Sequence, residues 1–273
     1  MSPFELAEPR LREEAFALLA DDGARPLSGG TALMLMMKAG VLRPTRLVSL
    51  RRLGLNEVKA SDDLRIGAMT TLGALERNPA VKAGWPVIVR ALRTLSNVRV
   101  RNVATVGGAL AHADPHMDLP PLLAALGARA TIAGPAGERI VPVEALYAAY
   151  LENTLRPGEL ITQVEIPAMR AKRAAYMKCT SRSADDWPAV GIAVMLDGGD
   201  TRIVLGAATD KPTRLTQAEN ILNQNPDALK EAAEAAADEV TIESDLHGSA
   251  AYKKQLIRVY LRRAVHEARN ASH

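Results

Sequence analysis

Apolar positions recur at two periods along the chain, and the period switches repeatedly. Residues 9–22 place Ala15, Leu18 and Leu19 on one helical face and stop at Gly23, which predicts a helix. A short apolar step, Pro26-Leu27, leads into Ser28-Gly29-Gly30-Thr31, and a helix-like run follows from Ala32 to Lys38 with Gly40 placed to end it. Arg46 to Leu50 reads as a strand. Val58–Ala60 and Leu64–Ala68 flank Ser61-Asp62-Asp63, the pattern of a hairpin. Thr70 or Thr71 is placed to cap a short helix through Arg77, and Val87, Ala91 and Leu95 give residues 86–96 helical spacing. Pro120-Pro121 suits the first turn of another helix. A second hairpin is expected where 130–132 and 139–141 flank Gly134-Pro135-Ala136-Gly137, then a helix over Val143–Tyr150 and a strand over Leu160–Ile166.

The pattern changes after the polar, basic stretch Pro167–Arg173. Ala174–Thr180, Val190–Leu196 and Arg202–Ala207 read as three strands, the last two joined at Asp197-Gly198-Gly199-Asp200. Thr216–Leu222, Pro226–Glu239 and Ala250–Ala268 read as helices. The expected fold class is therefore α+β. Residues 1–170 form two α/β lobes, approximately 1–55 and 56–170, and residues 171–273 form a C-terminal α+β domain with a three-stranded antiparallel sheet and a helical layer.

Composition narrows the function. The 273 residues are 48% hydrophobic, enough for a sizeable core in two or three lobes. No apolar run approaches the ~18 residues of a membrane span, and the opening Met1-Ser2-Pro3-Phe4-Glu5 shows no secretory pattern. The net charge of +3 comes from mixed charges, and aromatic content is 3%, so neither a nucleic-acid footprint nor a base-stacking platform stands out. The basic stretch Arg90, Arg93, Arg99, Arg101 reads as a solvated helix face. The single cysteine, Cys179, forms no internal disulfide, in keeping with a reducing cytoplasm. It also falls short of the thiolates an iron–sulfur cluster needs, so any such cluster lies on another chain. Of the histidines His112, His116, His247, His266 and His273, only His112-x-x-x-His116 has a notable spacing, and a Pro-containing loop without the HExxH glutamate makes a poor metal site. No GxSxG nucleophile elbow is present.

The candidate chemistry lies in two glycine pairs. In Ser28-Gly29-Gly30-Thr31-Ala32 a strand turns into a helix, and amides at such a junction attract phosphate. In Thr105-Val106-Gly107-Gly108-Ala109 a second pair lets backbone approach a large ligand, and successive amides there can cradle a diphosphate. Two such segments suit one elongated dinucleotide. Asp114 starts an Asp-Pro turn behind the second pair. Asp118 stands directly before the apolar run 119–126, either as a carboxylate for a ribose or flavin edge or as an N-cap.

SGGT followed after about seventy residues by TVGGALAHADPHMDLP resembles the FAD-binding medium subunit of the molybdenum hydroxylases, the xanthine dehydrogenase and carbon monoxide dehydrogenase family. Leu155-Arg156-Pro157-Gly158-Glu159-Leu160-Ile161, Ala175–Lys178 and Arg182–Pro188 extend the likeness collinearly over nearly the whole chain. The resemblance implies a PCMH-type FAD-binding domain and an oxidoreductase subunit without catalytic residues of its own or a metal. FAD would be bound by Ser28, Gly29, Gly30, Thr31, Ala32, Thr105, Gly107, Gly108, Ala109, Asp114, Asp118 and Lys178. Lys178 would offer a cation near the flavin or its phosphates; otherwise it is a solvated strand-edge lysine. Trp187 would shield the flavin, sit in the core or meet a partner subunit. The implied partners are a large molybdopterin subunit and a small subunit with two [2Fe-2S] clusters, as a dimer of heterotrimers in the cytoplasm. Electrons would pass from the clusters through FAD to NAD⁺, a quinone, O₂ or another acceptor. The family usually has Asn where this chain has Ala109, which removes a side-chain amide from the cofactor pocket. Two other readings remain: a stand-alone flavin reductase or oxidase, and a flavin-free structural paralogue.

Overall fold

A computed structural model describes residues 3–271. Met1, Ser2, Ser272 and His273, which include part of the N-terminal pattern and one of the histidines noted above, lie outside the described residues. The first lobe runs β1 (Glu5–Ala7), α1 (Arg12–Leu19), β2 (Ala24–Leu27), α2 (Leu33–Lys38) and β3 (Arg46–Ser49). Its three strands pair in the parallel order β1-β3-β2. α1 lays Ala15, Phe16 and Leu19 against Val48 and Leu50, and this small core continues into Ala133 and Leu160 of the second lobe. The helix is shorter than the 9–22 expected: no side chain caps its start, and after Ala20 the chain enters a turn in which the Gly23 amide donates to Asp21 Oδ1.

The second lobe begins with the hairpin of β4 (Val58–Ala60) and β5 (Leu64–Gly67). Five helices follow: α3 (Leu72–Arg77), α4 (Pro79–Gly84), α5 (Pro86–Thr94), α6 (Val98–Arg101) and α7 (Val106–His112). Local capping sets the boundaries. Thr71 accepts from the Ala74 amide, Asn78 from those of Ala80 and Val81, and Asn97 from that of Val100. Pro79 and Pro86 occupy first turns, where a missing N–H costs nothing. α8 (Leu119–Ala125) is buried along its whole length. β6 (Arg129–Gly134), β7 (Gly137–Pro142) and β10 (Leu160–Ile166) complete an antiparallel sheet of order β4-β5-β10-β6-β7, beside a small ribbon of β8 (Tyr147–Ala149) and β9 (Glu152–Asn153). The helix expected over 143–150 is instead a 3₁₀ turn, Val143–Leu146, running into β8. Val143, Leu146 and Tyr147 are all buried, and one 3₁₀ turn followed by extended chain places all three inward.

The C-terminal part contains β11 (Arg173–Cys179), β12 (Val190–Asp197), β13 (Asp200–Gly206) and β14 (Thr213–Arg214) in that order in one antiparallel sheet. The expected three strands are present, and β14 adds a fourth too short to leave a sequence signal. α9 (Thr216–Gln224), α10 (Leu229–Asp238) and α11 (Ala250–Asn270) follow. The central strand β12 is buried on both faces. Ile192 and Val194 meet the helices α9–α11, while Ala193 and Met195 join the core of the second lobe. α8 packs on that second face, so close that a Cβ on Gly206 would lie 2.8 Å from Pro121. The basic stretch is not uniformly solvated: Arg101 is buried, paired with Glu76 at 2.9 Å and donating to the Leu95 carbonyl.

Candidate functional site: a cleft between two glycine segments

An elongated cavity of about 580 Å³ lies between the two lobes. Its walls include Ser28–Ala32 from one side and Thr105, Gly107, Gly108 and Ala109 from the other. The two segments touch. A Cβ on Gly29 would stand 2.2 Å from the Val103 carbonyl oxygen, and one on Gly108 would stand 2.6 Å from Ser28 Oγ. Gly29 packs directly on backbone at 103–104, and Gly108 makes room for the Ser28 and Thr105 hydroxyls.

The segments differ in what they offer. In the first, Gly30 takes the left-handed conformation (φ 70°) and turns the chain from β2 into α2. Among the described residues, the amides of Gly29, Gly30, Thr31 and Ala32 donate to no protein acceptor. α2 has only six residues, so these amides, rather than a long helix dipole, carry the pull on an anion. In the second, the glycines lie inside the first turn of α7, not in an open loop. Val106 N–H donates to the Thr70 carbonyl (3.0 Å), Gly107 to Ala68 (2.8 Å) and Ala109 to Thr105 (2.9 Å), while Gly108 donates to Thr105 Oγ1 (3.1 Å). The expected cradle of free amides from this segment is therefore corrected: its amides are spent on its own cap and on β5's end. Its glycines serve close packing, since a Cβ on Gly107 would lie 2.6 Å from that of Ala68.

Asp114, Asp118 and Lys178 stand behind the cavity wall; Met117, between the two aspartates, is on it. Asp118 makes no cap bond to α8. Its carboxylate accepts from Tyr176 Oη (2.6 Å) and Lys178 Nζ (2.8 Å). Lys178 also donates to the carbonyls of Thr94 (2.8 Å) and Asp186 (3.3 Å), so it is a buried bridge between α5, the start of α8 and the 182–188 loop, not a solvated edge residue. Burial pushes the Asp118 carboxyl up, opposed by the Lys178 ammonium and the Tyr176 hydroxyl, and pushes Tyr176 far above the usual phenol range. Asp114 faces two histidines: Oδ1 is 3.1 Å from His116 Nδ1 and Oδ2 is 3.9 Å from His112 Nε2. Trp187 is half exposed and stacks on His116 with centroids 5.5 Å apart, so it is neither core nor cavity wall.

The sequence reading missed part of the wall. Asn153 lines the cavity and donates from Nδ2 to the Ala111 carbonyl (2.6 Å), tying α7 to the rim. The rim 155–160 is fixed by Arg139, which grips Glu159 through two nitrogens (3.0 and 2.7 Å), and by the Arg156 amide on the same carboxylate (2.9 Å). Arg139 holds Glu159 below the usual carboxylate range. The motif at 155–161 was visible as the approach to a strand; that it walls the cleft follows only from the tertiary fold. Among the described residues no group of three or more metal-ligating side chains is assembled, and no helix is long and apolar enough to cross a membrane.

A cleft of this length, shared by two lobes and edged by free amides in a glycine turn, defines a protein that holds a large dinucleotide-type cofactor. Residues 2–169 match the family described as the FAD binding domain in molybdopterin dehydrogenase, and residues 174–268 match the CO dehydrogenase flavoprotein C-terminal domain. The chain belongs to this family of FAD-binding medium subunits of molybdenum hydroxylases, and is an oxidoreductase subunit. It is 33% identical to the glyceraldehyde dehydrogenase medium chain of Sulfolobus acidocaldarius over 94% of this chain and 95% of that one. It is 32% identical to the carbon monoxide dehydrogenase medium chain of Afipia carboxidovorans, covering 97% and 96%. The solved structure of reconstituted CO dehydrogenase from Oligotropha carboxidovorans superposes with a TM-score of 0.92 at 32% identity, covering 100% of both chains.

Proposed function

We propose that this chain binds one FAD in the interlobe cleft and is the electron outlet of a three-subunit molybdenum hydroxylase in the cytoplasm. The observation that carries the cofactor placement is the row of unspent amides at Gly29–Ala32, residues that line the cavity. Those amides hold the diphosphate, Thr105–Ala109 forms the opposing wall, and Asp118 with Lys178 supports the flavin end from behind. The bound FAD supplies reversible one- and two-electron chemistry. Electrons arrive from [2Fe-2S] clusters on a small partner subunit, since this chain has one cysteine, and leave to an external acceptor. A large molybdopterin subunit oxidises the organic substrate, and two such heterotrimers associate. Similar identities to medium chains named for glyceraldehyde, carbon monoxide and nicotine enzymes support a substrate site outside this chain. The division near residue 170 belongs to the same reading.

Incubating the purified chain with FAD and removing free flavin tests the binding. A retained flavin spectrum, lost or weakened in Gly30→Ala, is expected. A colourless wild-type chain overturns the proposal. Co-migration with two further chains on size exclusion from the native source tests the assembly, and migration as a lone chain overturns that part.

A further inference from the structure

A line of titratable groups runs from the protein surface to the cavity wall, and cofactor holding does not explain it. It starts at Asp245, in the turn before α11, whose side chain is 34% exposed. Asp245 Oδ2 lies 3.7 Å from His116 Nε2. That nitrogen is buried and has no hydrogen-bond partner, although the opposite ring nitrogen meets Asp114 Oδ1 at 3.1 Å. The other oxygen of Asp114 faces His112 Nε2 at 3.9 Å, and His112 lines the cavity. His116 and Asp114 thus each present different atoms to their two neighbours. The 3.7 and 3.9 Å steps are within reach of a small rotation or one bridging water.

The surroundings hold the line in place. Trp187 stacks on one side of His116, and His247 lies tilted against it with centroids 5.1 Å apart. Lys253, 2% exposed, fixes Asp245 Oδ2 at 2.6 Å, and the His247 amide donates to the same carboxylate. Burial lowers His112, against the pull of Asp114, which favours a neutral imidazole on the cavity wall. Burial raises Asp114, but the His116 hydrogen bonds and both imidazoles outweigh that and hold it below the usual carboxylate range.

We propose that Asp245, His116, Asp114 and His112 form a proton line between solvent and the cofactor cavity. The proposal rests on the FAD reading above. Converting the oxidised flavin ring to its fully reduced form takes two electrons, from the iron–sulfur donor, and two protons, from solvent. Re-oxidation by the external acceptor releases both. An imidazole accepts a proton on one nitrogen and gives one up from the other, and a carboxylate passes one between its two oxygens. The line carries protons in either direction without net change in its own members.

The full chain, loaded with FAD and pre-reduced, is mixed with ferricyanide, which takes electrons without protons. Flavin absorbance and a pH-indicator dye are followed together. In wild type the dye signal is expected to keep pace with flavin oxidation. In His116→Phe, which keeps the stack on Trp187, it is expected to lag at least ten-fold, and in Asp245→Asn likewise. His116→Ala with added imidazole is expected to recover most of the wild-type rate, which a purely structural role for His116 does not predict. FAD affinity is measured in parallel and is expected to stay within three-fold. Coincident traces in both His116→Phe and Asp245→Asn overturn the proton line while leaving FAD binding intact. A wild-type chain that takes up no FAD overturns the reading beneath it, and the line with it.

Discussion

The two glycine segments look alike in sequence and do opposite work in the fold. Ser28–Ala32 keeps its amides unspent and puts a left-handed glycine at the bend. Thr105–Ala109 uses every amide from Val106 to Ala109 internally and needs its glycines only so that α7 can press on Ala68 and Ser28. The same division extends outward, because the turn behind the second segment ends in Asp118, whose two oxygens are both occupied. An open segment loses ligand when damaged, whereas a saturated one loses stability. That difference gives each substitution a distinct readout.

The largest effect is expected at the saturated end. Lys178→Met removes the ammonium from a carboxylate that is 5% exposed and leaves Asp118 with Tyr176 alone. Breaking a buried pair from one side costs roughly 3–5 kcal/mol. Chemical denaturation of the FAD-free chain should show that loss. A variant as stable as wild type would falsify the view that Lys178 bridges α5, α8 and the 182–188 loop.

Gly107→Ala and Gly30→Ala then separate the segments directly. The new methyl at 107 meets Ala68 Cβ at 2.6 Å, its carbonyl oxygen at 3.0 Å and its Cα at 3.2 Å, so backbone would have to shift. Overpacking of this kind costs about 1–3 kcal/mol of stability. At 30 the methyl meets only flexible side chains, Leu27 Cδ1 at 3.2 Å and Met34 Cγ at 3.4 Å, which can give way, and the positive φ costs an L-residue about 1–2 kcal/mol. Relief of that strain re-aims the free amides, so FAD affinity should fall about ten-fold while the melting temperature moves by only a few degrees. If both variants lose affinity and stability in equal proportion, the segments are equivalent and the contrast fails.

Much of this fold was legible along the chain. The two hairpins, the strand 160–166 and the C-terminal strands and helices follow from apolar periodicity and turn residues. The failures have physical causes. α4 was invisible because Pro79 and Pro86 interrupt the helical run, and only the Asn78 cap shows a separate turn. α7 was read as a loop because paired glycines are poor helix formers; contact with β5's end outweighs that propensity. In the site, residue types at Ser28–Ala32 pointed to a segment that lines the cleft. Whether an amide is free or spent depends on partners such as Ala68 and Thr70, and local sequence does not encode them. His116 stayed unassigned for the same reason, since Asp245 lies 129 positions away by residue number and Trp187 on a third segment.

Acidification should also distinguish the segments. His112 and Asp114 close α7, and both are lowered in the fold. For each, the unfolded chain binds protons more readily than the native one, so their stabilisation is present at neutral pH. His112's share is lost as pH falls below the ordinary imidazole range of about 6.5, and Asp114's below about 4. The first glycine segment contains no titratable side chain. Amide exchange, corrected for its intrinsic pH dependence, should show protection at Gly107 and Gly108 weakening between neutral pH and about pH 5, with the rates at Gly29 and Gly30 following the intrinsic curve. Parallel behaviour of the two segments would count against the assignment of His112 and Asp114 to the saturated side.

The smallest expected effect tests whether the saturated segment can be opened. Ala109 is 4% exposed, lines the cavity, and has its own amide committed to Thr105. Only a side chain can therefore add a donor to the cofactor from this position. Ala109→Asn supplies an amide that points from α7 without disturbing the backbone bonds of the turn. One added hydrogen bond is worth about 1 kcal/mol net, or roughly five-fold in affinity. Titrating the FAD-free chain with FAD should show that gain, with the unliganded melting temperature changed by no more than a degree or two. A gain in affinity without a gain in unliganded stability identifies a donor that acts on the ligand alone, as the free amides of Gly29–Ala32 do. Unchanged affinity would mean that the second segment is closed to the cofactor for geometric reasons, and that the methyl of Ala109 is packing rather than a lost contact.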